Sequence, residues 1–290
     1  MKHLSSMLVK NGADWLKLAV DSAKDDVEDL ADEACRLAYQ YQYYPGIVTD
    51  FSTMPRYSRF LGIRKLMVEF YESPPTKLRA VLQLRRNNHA LQECPSCGYP
   101  FAPDTLDHFM PKDDWPEFSI FPNNLTPQCR GCQSQKGSFF YSVKDNQAFF
   151  IHPIFSDALS KIGFKVNIEI EGNNPRFEAK FTRLAALESA EEQRLKIHIE
   201  KLEIRKRILK FCWAEYSKWK NMISDKKFDI KAALQQRIDE QPYSNSDVAR
   251  NWQVAFYRGV LKNQQVMDHL NSFAPSAPLP LTEVVSELNF

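Results

Sequence analysis

Glycine is scarce, at 9 of 290 residues, and no segment approaches the roughly 18 consecutive apolar residues of a membrane-spanning helix. The first shortage excludes collagen-like and glycine-rich low-complexity chains. The second argues against membrane insertion through helices. An excess of one charge is missing as well: 38 Lys and Arg stand against 36 Asp and Glu, a net +2. A uniformly basic protein of the histone kind is excluded, so any nucleic-acid surface must be a local patch. Residues 1–11 lack the apolar core and cleavage site of a signal peptide, and the expectation is a cytoplasmic chain. At 43% apolar and 26% charged, the composition is that of a globular protein long enough for one large domain or two.

What the chain does have is an uneven use of cysteine. Four of its six cysteines form two Cys-x-x-Cys pairs, Cys94/Cys97 and Cys129/Cys132, while Cys35 and Cys212 stand alone in helical patterns. In a reducing compartment this spacing argues for metal rather than disulfides, and four thiolates so paired suit one structural, tetrahedral Zn²⁺. Around them the pattern is mostly helical. Val27, Leu30, Ala31, Ala34, Leu37, Ala38 and Tyr41 recur at helical steps within 21–44, and further helices are expected over 59–71 and from an N-cap at Thr76 to about 91. Between Gln92 and Gly137 the periodicity gives way to Pro, Asp, Asn and Cys, the mark of a loop-rich unit pinned by something other than apolar area. Phe164, Val166, Ile168 and Ile170 alternate with polar residues, then a turn leads to Phe177, Ala179 and Phe181: a β-hairpin. One long helix is expected over 183–222, others over 229–240 and 246–273, and an extended Pro-containing tail over 275–280.

Between the cysteine pairs lie Thr105-Leu-Asp-His-Phe-Met-Pro-Lys112 and Phe118-Ser-Ile-Phe-Pro-Asn-Asn-Leu-Thr-Pro-Gln128, and the second pair is followed by Gln133 and Lys136-Gly137. Over Glu93–Gly137 this arrangement resembles the HNH endonucleases of the ββα-metal (His-Me finger) class, in the version clasped by a four-cysteine zinc site. The resemblance implies that His108 is the general base, that Asp107 binds a catalytic Mg²⁺ or Mn²⁺, and that Asn124 holds the loop and orients His108. An imidazole titrates near neutrality and can take a proton from water, while a carboxylate suits a hard divalent ion. Gln133 stands where the family usually has Asn or His to complete that ion's ligands, a departure that bears on the strength of catalysis. Lys112, Arg130 and Lys136 are candidates for contacting backbone phosphates. His152 reads as structural, and His198 has no partner evident in sequence.

The expected fold is therefore mainly α with a small ββα-metal, zinc-clasped nuclease unit and a β-hairpin (α+β). It divides into an N-terminal helical region (1–91), the nuclease unit (92–152) and a β-hairpin with a C-terminal helical region (153–290). The expected activity is metal-dependent hydrolysis of phosphodiester bonds, with DNA favoured and RNA open. Some proteins of this plan are effectors of bacterial antiphage systems that work with an ATPase partner, so regulation by a partner or by oligomerisation is expected. Segment 86–144 carries five basic and six acidic residues, whereas 56–86 is +6 and 194–231 is +7, so the flanking helices are the expected electrostatic cradle. Two rival readings remain: a zinc-clasped module that binds nucleic acid or protein without cutting, and a structural zinc scaffold.

Overall fold

The computed structural model describes residues 1–241 and 248–275. The chain divides into two compact units, Met1–Gly163 with Phe181–Arg205 and Phe164–Lys180 with Lys206–Phe290. Helices dominate and the sheets are small two-stranded pairs, a mainly α, α+β fold. Among the described residues no helix is long and apolar enough to cross a membrane.

In the first unit, α1 (Ala13–Val20) packs on α2 (Val27–Thr49). The buried residues of α2, Leu30, Leu37, Tyr41, Tyr44 and Val48, follow helical spacing along one face. This helix starts later than expected and continues past Tyr44 through Pro45. A proline inside a helix costs about 3 kcal/mol, a penalty set against the burial of Tyr44 and Val48 on either side of it. Helix α3 (Arg64–Glu72) follows, then α4 (Thr76–Asn87), in which Thr76 is the first helical residue and Pro75, not Thr76, holds the N-cap position. Proline pre-sets the φ of a helix start but has no side-chain oxygen to cap it.

The loop-rich segment then forms β1 (Thr105–His108) and β2 (Leu125–Gln128), antiparallel, with Asp107 opposite Thr126 and His108 opposite Leu125. Helix α5 (Arg130–Lys136) comes directly after. A minimal hairpin follows, β3 (Tyr141–Ser142) with β4 (Gln147–Ala148). The N-terminal helices and the cysteine-bearing segment fall in the same unit: α4 packs on β1, and Met1 and Leu4 are buried in its core.

The expected hairpin is β5 (Ile162–Glu171) and β6 (Asn174–Arg183), turned at Gly172, whose φ of +61° glycine adopts without strain. The long helix expected over 183–222 is two: α6 (Ser189–Lys201), opened by a Glu188–Glu191 capping box, and α7 (Ile204–Asp225). The break at Leu202–Glu203, with Glu203 at φ +48°, falls close to where the chain passes from the first unit to the second. In the second unit, α8 (Ile230–Asp239), α9 (Trp252–Lys262) and α10 (Gln264–Asn271) follow. The single helix expected over 246–273 is thus interrupted at Asn263, which caps α10. Phe177 packs against Trp213, Tyr216 and Phe256. Gly259 of α9 passes so close to β5 that a Cβ there would lie 2.4 Å from the Val166 carbonyl oxygen. The tail expected over 275–280 lies outside the described residues beyond Pro275.

Candidate metal centre and the adjoining polar site

Each cysteine pair sits on its own short turn. Gly98, at φ +75°, donates its N–H to the Cys94 carbonyl at 2.8 Å and closes the first; Cys129 holds the N-cap position of α5 and Cys132 lies in its first turn. The pairing β1–β2 closes the distance between them. All four sulfurs lie within 4.8 Å of one another, with Cys94–Cys132 at 4.0 Å and Cys97–Cys129 at 3.7 Å. A tetrahedral ion with metal–sulfur bonds of about 2.3 Å requires sulfur–sulfur edges of about 3.8 Å. All four are buried. Burial pushes the Cys97 thiol well up, while hydrogen bonds from neighbouring thiols, Cys132 first, pull Cys129 down. Four thiolates in so small a volume need a cation to coexist, and the donor set fits a metal ion such as zinc.

At the other end of the ββα unit the imidazole of His108 and the amide of Asn124 are buried and hydrogen-bonded. His108 donates Nε2–H to the Ser119 carbonyl at 2.9 Å, and the Tyr71 ring meets the imidazole edge-on at 4.3 Å. A carbonyl can only accept, so the ring proton is on Nε2 and Nδ1 carries the free lone pair. Burial pushes the His108 pKa down to about 3, which keeps the imidazole neutral at pH 7. Asn124 is fully buried and staples the chain that follows His108. Its Oδ1 accepts from the Met110 N–H and the Tyr44 hydroxyl, both at 2.7 Å, while its Nδ2 donates to the carbonyls of Met110 at 3.0 Å and Phe118 at 3.1 Å.

Asp107 faces α5 rather than the loop. Its Oδ2 lies 3.1 Å from the Lys136 ammonium, which also donates to the His108 carbonyl at 2.8 Å; the two side chains are 6% and 2% exposed. Burial raises the Asp107 pKa and the lysine opposes the rise.

Over one stretch the chain is similar to a phage protein. Sixty-three residues, 21% of the chain, are 43% identical to protein ea31 of Escherichia phage lambda and span 21% of that protein. No protein-family model matches the chain, and no solved structure matches it.

The structure thus brings together Asp107, His108, Asn124 and Lys136, and assembles the four cysteines. Gln133 stays apart, exposed on α5. Among the described residues the cysteines are the only set of three or more Cys, His, Asp or Glu side chains close enough to share an ion. As folded, the residues at Asp107 do not fit a divalent ion, because an ammonium already occupies one oxygen and Gln133 does not join it. Lys136, expected on phosphate, is buried in that ion pair. Lys112 pairs with Glu72 at 2.9 Å and Arg130 with Asp104 at 2.9 Å, both at the surface.

Three positioning residues went unseen in the sequence. Tyr44 marks there only the end of a helical segment. His198 donates Nε2–H to the Ser96 carbonyl at 2.7 Å and accepts from the Ile151 N–H, fixing the turn between Cys94 and Cys97 from α6. Arg85 donates to the Leu125 carbonyl at 2.7 Å, bracing β2. No local pattern marks any of them, because their partners are 40 to 102 residues away.

Proposed function

We propose that the protein is a phosphodiester-cleaving nuclease whose general base is His108 and whose ββα unit is held by structural Zn²⁺. The observation that carries the reading is an imidazole directly after Asp107 whose Nε2–H is held by the Ser119 carbonyl, leaving Nδ1 to accept, inside a cysteine-clasped β–β–α unit. Nδ1 takes the proton from water, the water oxygen bonds to phosphorus, and the bond to the leaving oxygen breaks, with solvent supplying its proton. The HNH resemblance adds that the products carry a 5′-phosphate and a 3′-hydroxyl, and favours DNA over RNA. A regulatory ATPase partner belongs to the same resemblance.

The test is cleavage of plasmid DNA, single-stranded DNA and total tRNA by zinc-loaded protein, with Mg²⁺, Mn²⁺ or no added ion, against zinc-loaded His108→Ala. The variant is expected to be slower by about 10²–10⁴-fold, the worth of a positioned general base. Equal rates for the two proteins would remove the assignment. Cutting only with Mg²⁺ or Mn²⁺ would mean that the ion displaces Lys136 from Asp107; cutting without either would mean that the ammonium suffices. A second reading, a zinc-clasped module that binds without cutting, draws on the Asp107–Lys136 pair and the solvent-facing Gln133. It predicts nucleic-acid binding and no cleavage under any of these ions.

A further inference from the structure

A cleft of about 610 Å³ opens on the first unit between α2, the segment 50–60 and the loop that joins β1 to β2. Its walls are unusual for a protein surface. Tyr39 and Tyr43, one turn apart on α2, are 54% and 50% exposed and stand edge to face at 5.0 Å with their hydroxyls in contact; Tyr57, which also lines the cleft, is 80% exposed. Large aromatic rings left in water as a group, rather than singly, mark a binding surface. Arg56 and Arg59 on the same wall are exposed and make no ion pair among the described residues. The acidic groups of the cleft are already engaged: the Asp50 carboxylate accepts from the backbone of Ser52 and Thr53, and Glu117, buried at the floor, accepts from the Ser58 hydroxyl.

Aromatic rings with free guanidinium groups are the donor set for an unstacked base and its phosphate: the ring faces take the base, and the arginines take the anion and add cation–π attraction. Arg56 and Arg59 are the exposed cations of the lining, and a phosphate is drawn to them and away from the Asp50 and Glu117 carboxylates. A base pair in a duplex hides its faces in the stack and cannot use such a wall. The floor also connects to the polar site. Glu117 and Phe118 line the cleft, the Phe118 carbonyl accepts from Asn124, and the next carbonyl, that of Ser119, accepts from His108.

We propose that this cleft binds an unpaired nucleotide of single-stranded nucleic acid, the base against Tyr39, Tyr43 and Tyr57 and the phosphate at Arg56 and Arg59. The inference rests on the nuclease reading for its purpose, and it narrows the substrate to single strands or to unpaired stretches beside a duplex.

The test measures binding by fluorescence polarisation, using the zinc-loaded 290-residue chain carrying His108→Ala and no added divalent ion. The probes are a labelled oligo-dT of about 12 nucleotides, the RNA oligo-U of the same length, and a duplex of that length. Single strands are expected to bind more tightly than the duplex. Tyr57→Ala and Arg59→Ala, both at exposed side chains, are each expected to weaken single-strand binding about tenfold, in line with the loss of one stacked base or one phosphate contact. Lys180→Ala, exposed on β6, is the control and is expected to bind as the parent does. Duplex binding as tight as single-strand binding, or single-strand affinity unmoved by both cleft substitutions, overturns the proposal. So does a cleft that proves instead to seat a peptide, with Tyr57→Ala abolishing a protein complex and leaving oligonucleotide affinity intact. The two readings fail separately: loss of binding in the cleft variants stands even if the wild type never cuts, and a wild type that cuts while both cleft substitutions leave single-strand affinity unmoved keeps the nuclease and sinks the cleft.

Discussion

The cysteine clasp and the Asp107–His108 end belong to one ββα unit, yet different kinds of contact build them. Each half of the clasp is local, its cysteines three residues apart in sequence around a tight turn, and one strand pairing brings the halves together. The other end has almost no local order of its own. His108, Asn124 and Asp107 are held by Ser119, Tyr44 and Lys136, from the connecting loop, from α2 and from α5. A metal site needs only four ligands at fixed distance. A buried polar group left without a partner costs about 1–3 kcal/mol, and so such a site draws partners from wherever the fold supplies them.

The comparison breaks most severely at the clasp. Structural zinc contributes about 10–16 kcal/mol in small zinc-dependent folds, so Cys97→Ser is expected to lose bound metal and the cooperative unfolding of the first unit at 25 °C. Metal content and thermal denaturation followed by circular dichroism measure both, and a wild-type midpoint in the variant would refute the expectation. At the other end the largest single effect is expected from Lys136→Met, which leaves the Asp107 carboxylate buried without its cation and should cost about 3–5 kcal/mol in urea denaturation at pH 7. Asp107→Asn added to it should recover most of that loss. If the double variant were no better than the single one, the pair would not be the cause.

A smaller effect, spread over pH, sharpens the contrast. Burial holds His108 at about 3, His198 at about 4 and His152 well below its ordinary value. Each has a folded pKa below the unfolded value near 6.5, so the unfolded chain binds more protons between the two. Stability from these groups is complete above about 6.5 and falls as pH drops toward 4, by up to about 1.4 kcal/mol per pH unit for each histidine. Denaturation midpoints from pH 7.5 to 4.5 for wild type and His152→Gln test this. The variant is expected to have the shallower slope, and parallel curves would exclude His152 from the effect.

Contacts that follow the chain were legible in the sequence. The alternation of Phe164, Val166 and Ile168 yields the β5 strand with its inward face buried, and the Leu30–Leu37–Tyr41 stripe yields α2. The break at Leu202–Glu203 was not legible, because the apolar stripe runs through it and the interruption lies where the chain changes units. Within the candidate site, Asp107, His108 and Asn124 stood out by position, but the burial of Lys136 did not, since a lysine on a short helix reads as a solvated charge.

By itself the sequence determined the periodic elements and the two Cys-x-x-Cys turns, because these depend on residues within a helical turn or a strand repeat of one another. Only the tertiary structure decided which way the imidazole proton points, what neutralises Asp107, and that Tyr44 and His198 reach across 80 and 102 residues to hold the two ends. Those outcomes depend on which groups lose water together, and that is fixed only when distant segments pack.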